Sequence, residues 1–319
     1  MITKEFTYKK AFENQKNALK EKQIKYDMML ASAYASIPRL KELDIELSGI
    51  GANLAISALS GDLAKLEALK AKSIILNKEK NQLLNKADVK PIRYDCDICN
   101  DTGYVSGKIC NCIKKNAAKI MISELSKQMP LFSCTFENFD LKYYKDNGKE
   151  AENPKKRMTS ILMKCREYAE NFDPETSKNL LFLGNTGLGK THLTLAIVSK
   201  VIEKGYLPVY SSAENLFSMI EKEKFAGEGI GSYDSILNCD LLVIDDLGAE
   251  MATNFTKSVL YNIVNTRILS SKPTIINTNL SIKEIENIYT ARIASRFIGN
   301  YEAYKFLGDD IRQIKVLGE

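Results

Sequence analysis

Apolar residues recur at helical spacing through the first ninety positions. Phe6, Phe12, Leu19, Tyr26, Met29 and Leu30 return among lysines, which predicts a long amphipathic helix ended or kinked by Pro38, a residue with no backbone N–H to donate. Gly61-Asp62 reads as a break followed by an N-cap. Beyond it Leu63, Leu66, Leu69, Leu76 and Leu83 make one apolar stripe between lysines and glutamates. Such a stripe packs inside a small helical bundle or hairpin; the alternative is a face kept for a partner. After residue 131 the period changes. Short, continuous apolar runs at 180–183, 208–211, 241–244 and 273–277 are separated by segments long enough for crossover helices, which predicts an α/β fold around a buried parallel sheet. Asn-Gly and several charges between 140 and 153 predict an exposed connection.

Composition narrows the class. A chain of 319 residues with 45% hydrophobic and 27% charged positions is long enough for two domains and fits neither a disordered nor a fibrous protein. No apolar run approaches the roughly 20 residues that a membrane helix needs, and the N-terminus lacks an apolar export signal, so a soluble, cytoplasmic protein is expected. Residues 1–90 carry sixteen Lys and Arg against eleven Asp and Glu, while residues 91–319 carry 29 of each. The whole net charge of +5 is therefore N-terminal. Spread over ninety positions, it reads as a solvated helix face more readily than as a nucleic-acid groove.

Seven cysteines in such a compartment point to thiols or metal, not disulfides. Four of them form two pairs, Cys96/Cys99 and Cys110/Cys112, separated by ten residues rich in Gly, Asn, Asp and Ser. Two thiolates from a turn and two from the returning chain can hold one Zn²⁺ tetrahedrally, and so short a loop has little apolar content with which to fold itself. A small zinc knuckle is expected here. Cys134, Cys165 and Cys239 lack partner spacing, and the last two read as small core residues.

The strongest chemical signal is Gly184-Asn185-Thr186-Gly187-Leu188-Gly189-Lys190-Thr191, a G-x-x-x-x-G-K-[ST] run between an apolar strand and a helical pattern. Its glycines let backbone N–H groups turn toward phosphates, Lys190 reaches the β and γ oxygens of ATP, and the Thr191 hydroxyl can ligate Mg²⁺. His192 is the only histidine, which excludes histidine-based triads; it is grouped with the nucleotide-contacting stretch as a packing residue, not a catalyst. Some fifty residues on, the apolar run 241–244 delivers Asp245 to a strand end, where it can hold Mg²⁺ through water, with Asp246 next to it to orient or deprotonate the attacking water. Glu250 reads as a surface carboxylate. A later strand ends in Asn277, Thr278 and Asn279, of which Asn279 is the favoured γ-phosphate sensor. Arg292, Arg296 and Arg312 follow, the arginine class that neutralises transition-state charge.

The order of these motifs resembles a known family. From TFENFD at 135–140 through GNTGLGKTHL, IDDLG, TNLS and SRF, residues 131–319 are similar to the AAA+ ATPases of the DnaC/DnaI type, the bacterial replicative helicase loaders, and to their relatives, the IstB transposition helpers. Helices followed by a cysteine cluster resemble the Firmicutes-type loaders, so the likeness covers nearly the whole chain. It implies a helical partner-binding domain at 1–90, a zinc cluster with linker at 91–130, and an AAA+ P-loop ATPase core at 131–319. It further implies binding of ATP, Mg²⁺ and single-stranded DNA, ATP-dependent self-association, and the hexameric replicative DNA helicase as partner. By the match, Arg296 in SRF falls at the arginine finger that completes a neighbour's site, and Arg312 at the sensor-2 position facing its own nucleotide. An IstB-like transposase helper, a phage-encoded loader and a nucleotide-dependent adaptor with little hydrolysis are the alternatives.

Overall fold

The computed structural model describes residues 2–146, 153–226 and 232–317. The chain divides into two compact units, Phe12–Cys110 and Met1–Ala11 with Asn111–Glu319.

Helices dominate the smaller unit: most of α1 (Lys4–Ser36), then α2 (Arg39–Ser60) and α3 (Leu63–Lys86). Pro38 stands at the N-cap of α2, two residues after α1 ends, as the sequence predicts. Gly61 closes α2 in the left-handed region at φ +73°, and the Asp62 carboxylate caps α3 by accepting the Lys65 N–H at 3.1 Å. The leucine stripe packs where two helices face each other: Leu76 is buried with Leu43 and Ile50, and half-buried Leu69 and Leu83 lie against them. Leu63 departs from that expectation, being 74% exposed. It sits on the first turn of α3, at the end of the leucine stripe next to the Gly61-Asp62 turn. Tyr26, Met29 and Leu30 of α1 pack on Ala33, Leu40 and Val89. A short antiparallel hairpin, β1 (Tyr104–Val105) and β2 (Lys108–Ile109), follows, with Tyr104 stacked on Phe12 at 4.9 Å.

The larger unit opens with α4 (Asn111–Gln128), which buries Ile113, Ala117, Met121 and Leu125 at a four-residue period. Part of the expected linker is thus a helix with a core face. Residues 140–153 are likewise not an open connection throughout. Tyr144 is 2% exposed and Asn153, 1% exposed, caps α5 (Pro154–Glu170), whereas residues 147–152 lie outside the described ones. There follow β3 (Asn179–Leu183), α6 (Lys190–Glu203), β4 (Val209–Ser212), α7 (Ala213–Ala226), α8 (Ser232–Asn238) and β5 (Leu242–Leu247). The chain ends with α9 (Asn254–Leu269), β6 (Thr274–Thr278), α10 (Ile282–Ile288), α11 (Ala291–Asn300), β7 (Tyr301–Lys305) and α12 (Ile311–Leu317).

Five strands form one parallel sheet in the order β4-β5-β6-β3-β7. Leu180, Leu181, Phe182, Leu242, Val243, Ile244, Ile275 and Ile276 are completely buried, which is why their runs read as continuous in sequence. Helix α6 adds Leu193, Leu195, Ile197, Val198, Val201 and Ile202, each contributing roughly 1.5–3 kcal/mol of burial. Cys165 and Cys239 are core residues, as expected. The sequence reading lacks β7, whose YEAYK run is an edge strand with buried and exposed positions and no continuous apolar stretch. Among the described residues, no helix is long and apolar enough to cross a membrane.

Candidate functional site

Because every strand of the sheet runs the same way, the loops after β3, β5 and β6 open on one edge. The loop after β3 is shaped by glycine. Gly187 and Gly189 adopt φ +75° and +84°, and a Cβ at either would lie 1.8 Å from Asp310 Oδ1 or 2.7 Å from the Phe139 ring. Gly189 is the N-cap residue of α6, so the positive end of that helix faces the loop.

Lys190 is 5% exposed, and its ammonium donates to Gly184 O at 2.6 Å, Asn185 O at 2.7 Å and Asn279 Oδ1 at 2.7 Å. Burial brings its pKa down to about 8, against the pull of Asp246 and Asp245. Thr191 Oγ1 donates to Asp245 Oδ2 at 3.1 Å. A register shift between Ile244 and Leu247 bulges the strand end and sets Asp246 at φ +52°. The two adjacent acids therefore occupy different surroundings. Asp245 is 5% exposed, whereas Asp246 lines the cleft, its carboxyl pushed up by burial there and by Asp245.

The loop opens into a cleft of about 430 Å³. Thr186, Gly187, Leu188, Gly189, Lys190, Thr191, Asp246, Asn279 and Arg312 line it, together with Phe139, Tyr143, Tyr144, His192 and Ile311. The Tyr144 hydroxyl donates to Leu188 O at 3.0 Å. His192 Nε2 lies 2.8 Å from Thr135 O, an acceptor, so this nitrogen carries the hydrogen; burial lowers the ring's pKa and Phe139 meets it edge-on. Most of the predicted nucleotide residues thus meet. Arg296 does not; it is half-buried on α11 and absent from the cleft lining, and Arg292 is exposed. Glu250 is half-buried instead of a plain surface carboxylate, accepting the Gly248 N–H at 2.9 Å and the Tyr289 hydroxyl.

Sequence reasoning weighed Asn277 only as a strand-end residue behind Asn279 and gave Tyr210, Phe139 and Tyr144 no role. Asn277 is fully buried and donates to Asp245 Oδ1 at 2.7 Å; Tyr210 donates its hydroxyl to Asp245 Oδ2; and Phe139 with Tyr144 walls the cleft. Asn277 carried a signal, a polar amide directly after the isoleucine pair of a buried strand. Tyr210 carried none.

At the other candidate site, the sulfurs of Cys96, Cys99, Cys110 and Cys112 all lie within 4.8 Å of one another. The Cys96 and Cys110 sulfurs are 3.8 Å apart, the edge of a tetrahedron with about 2.3 Å Zn–S bonds. The donor set and spacing fit Zn²⁺. Asp101, 5% exposed, accepts the Asp95 and Cys96 N–H groups and pairs with Lys22 at 2.9 Å. Burial opposes its charge, but these donors outweigh burial and hold the carboxyl below its usual range.

Comparison with known proteins places these observations. Residues 151–297 match the family model described as IstB-like ATP binding protein. The replicative helicase loader DnaC of Escherichia coli (strain K12) is 28% identical over 172 residues, 53% of this chain and 64% of that protein. The chain therefore spans under two thirds of that relative's length. The phage-like element PBSX protein XkdC of Bacillus subtilis (strain 168) is 24% identical over 223 residues, 61% of this chain and 76% of that one. The crystal structure of the DnaC helicase loader aligns with 25% identity over 54% of this chain and 98% of that chain, at a TM-score of 0.46. Residues 151–297, which match the IstB-like ATP-binding model, hold the phosphate loop, both acids, Asn277 of β6 and Asn279 just beyond it, and proteins similar to this chain are named as replicative helicase loaders.

Proposed function

We propose that the chain is a cytoplasmic ATP-dependent loader that delivers the replicative DNA helicase onto single-stranded DNA, using ATP binding and hydrolysis to take up and release that DNA. The observation that carries this reading is the convergence of Lys190, Thr191, Asp245 and Asn279 at one sheet edge, in a domain whose homologues are named as helicase loaders. The reaction is phosphoryl transfer to water. Lys190 would neutralise the β and γ oxygens, Asp246 orient the water and Asn279 sense the γ-phosphate. Thr191 and Asp245 offer hard oxygen donors of the kind Mg²⁺ takes, and they would hold it; bound there, Mg²⁺ supplies charge neutralisation at the phosphates. Gly184, Asn185, Thr186, Gly187, Leu188, Gly189 and His192 would complete the nucleotide contacts, with Arg312 on the same nucleotide. Arg296, outside the cleft lining, would complete the site of a neighbouring copy in an ATP-dependent assembly.

Residues 1–90 would bind the partner, 91–130 contain the zinc cluster, and 131–319 form the ATPase. One zinc held by Cys96, Cys99, Cys110 and Cys112 would cross-link its loop, a folding role. A second reading, helper ATPase of a transposase, is favoured by the IstB-like match of residues 151–297. Titrating the full chain with purified replicative helicase, and separately with single-stranded DNA and ATP, tests the proposal. Helicase binding together with DNA-stimulated turnover supports the loader. Binding to a transposase alone supports the helper.

A further inference from the structure

Asp245 is held from both flanks by neighbours in the sheet. Parallel pairing sets Tyr210 opposite Val243 and Ser212 opposite Asp245 across β4 and β5, so the Tyr210 side chain lies on the same face as Asp245 and reaches along the strand to it. On the other flank, Ile244 pairs with Ile276, which brings Asn277 of β6 level with Asp245. Tyr210 OH donates to Asp245 Oδ2, and Asn277 Nδ2 donates to Oδ1 at 2.7 Å. The amide of Asn277 is itself oriented, because Thr194 Oγ1 of α6 donates to its Oδ1 at 3.0 Å. That contact leaves only the NH₂ group to face the carboxylate. Asn277 and Thr194 are fully buried, and Asp245 is 5% exposed. Two further donors reach the same carboxylate, Thr191 Oγ1 at 3.1 Å on Oδ2 and the Asp246 N–H at 3.1 Å on Oδ1.

We infer that Tyr210 and Asn277 are positioning residues for the divalent cation that accompanies the nucleotide, fixing Asp245 from two strands so that its carboxylate is already oriented toward the cation site beside Thr191. The inference rests on the nucleotide-site reading and extends it to residues outside the phosphate loop and the acid pair. Its physical basis is preorganisation. A carboxylate free to rotate about χ1 and χ2 must be ordered when the cation arrives, whereas one already held by neutral donors in two adjacent strands has little freedom left to lose. Neither donor carries charge, so the carboxylate keeps its negative charge for the cation.

The test is the Mg²⁺ dependence of binding of a fluorescent, non-hydrolysable ATP analogue to the full chain, measured in excess EDTA and then across a Mg²⁺ titration. Tyr210→Phe keeps the ring and its packing. It should leave the EDTA affinity within about twofold and move the Mg²⁺ midpoint up by about tenfold, the usual scale for losing a hydrogen bond to a metal ligand. Asn277→Asp, which replaces the donor by an acceptor, should move it at least as far in the same direction. A Tyr210→Phe midpoint equal to that of the unaltered chain overturns the inference. So does an equal loss of affinity with and without Mg²⁺, which is the signature of a merely structural role. An unaltered chain that binds no analogue in either condition overturns the nucleotide site itself, and this inference with it.

Discussion

Asn279 Oδ1 and Lys190 Nζ are joined by a 2.7 Å hydrogen bond across 89 residues of chain. With Gly184 O and Asn185 O it takes up all three ammonium hydrogens, so an arriving phosphate has to displace at least one of these partners. This contact gives the proposed sensing role of Asn279 a direct test. Asn279→Ala should lower turnover at least tenfold while changing ADP affinity by less than about threefold, because a contact to the terminal phosphate counts most in the transition state. Parallel measurement of turnover and ADP binding checks this. Equal losses in both would assign Asn279 to ground-state binding.

Nucleotide affinity should depend on pH through Lys190. Its pKa stands at about 8 in the free protein, and bound phosphates favour the charged form and raise it. Between about pH 8 and that higher value the complex holds more protons than the free protein, so affinity falls as pH rises, by up to about tenfold per unit; below pH 8 it is flat. Lys190→Arg stays charged and should abolish the decline. Lys190→Ala should weaken binding by about 10- to 100-fold at pH 7, the scale of a lost charge-assisted hydrogen bond, with the fold retained. Equilibrium binding from pH 7 to 10 decides it, and a pH-independent affinity for the unaltered chain would remove Lys190 from the phosphate contact.

One zinc per chain is expected in protein purified under reducing conditions. Cys99→Ser should lose the metal and loosen residues 96–112, because the loop has little apolar surface to hold it. Nucleotide affinity should stay within about twofold, since none of the four cysteines lines the nucleotide cleft. Elemental analysis and amide exchange give both readouts. Metal-free wild-type protein would exclude the site.

Arg267 is fully buried, and its guanidinium satisfies the carbonyls of Ile236 at 2.8 Å, Leu237 at 3.1 Å and Pro273 at 2.7 Å, with Thr274 Oγ1 at 2.9 Å. It closes the end of α8 and the entry to β6 with one planar fork. Arg267→Met should cost about 3 kcal/mol or more, since several buried acceptors lose their donor at once. Denaturant unfolding at unchanged slope measures it; a loss under about 1 kcal/mol would mean that water replaces the side chain.

Contiguous chemistry was legible in the sequence because it is encoded locally. The phosphate loop needs glycines at fixed offsets between a strand and a helix, the apolar runs of β3, β5 and β6 need full burial, and Asp62 caps α3 from one residue away. Each of these follows from a stretch of chain too short to depend on the rest of the fold. Tertiary structure decided what surrounds those motifs. Tyr210 and Asn277 reach Asp245 from 35 and 32 residues away, Phe139 and Tyr144 roof a loop some fifty residues ahead of them, and β7 pairs with β3 although its sequence has no strand-like apolar run. Such contacts depend on strand order and register, which are set by the burial of many apolar residues together, and no local spacing records them.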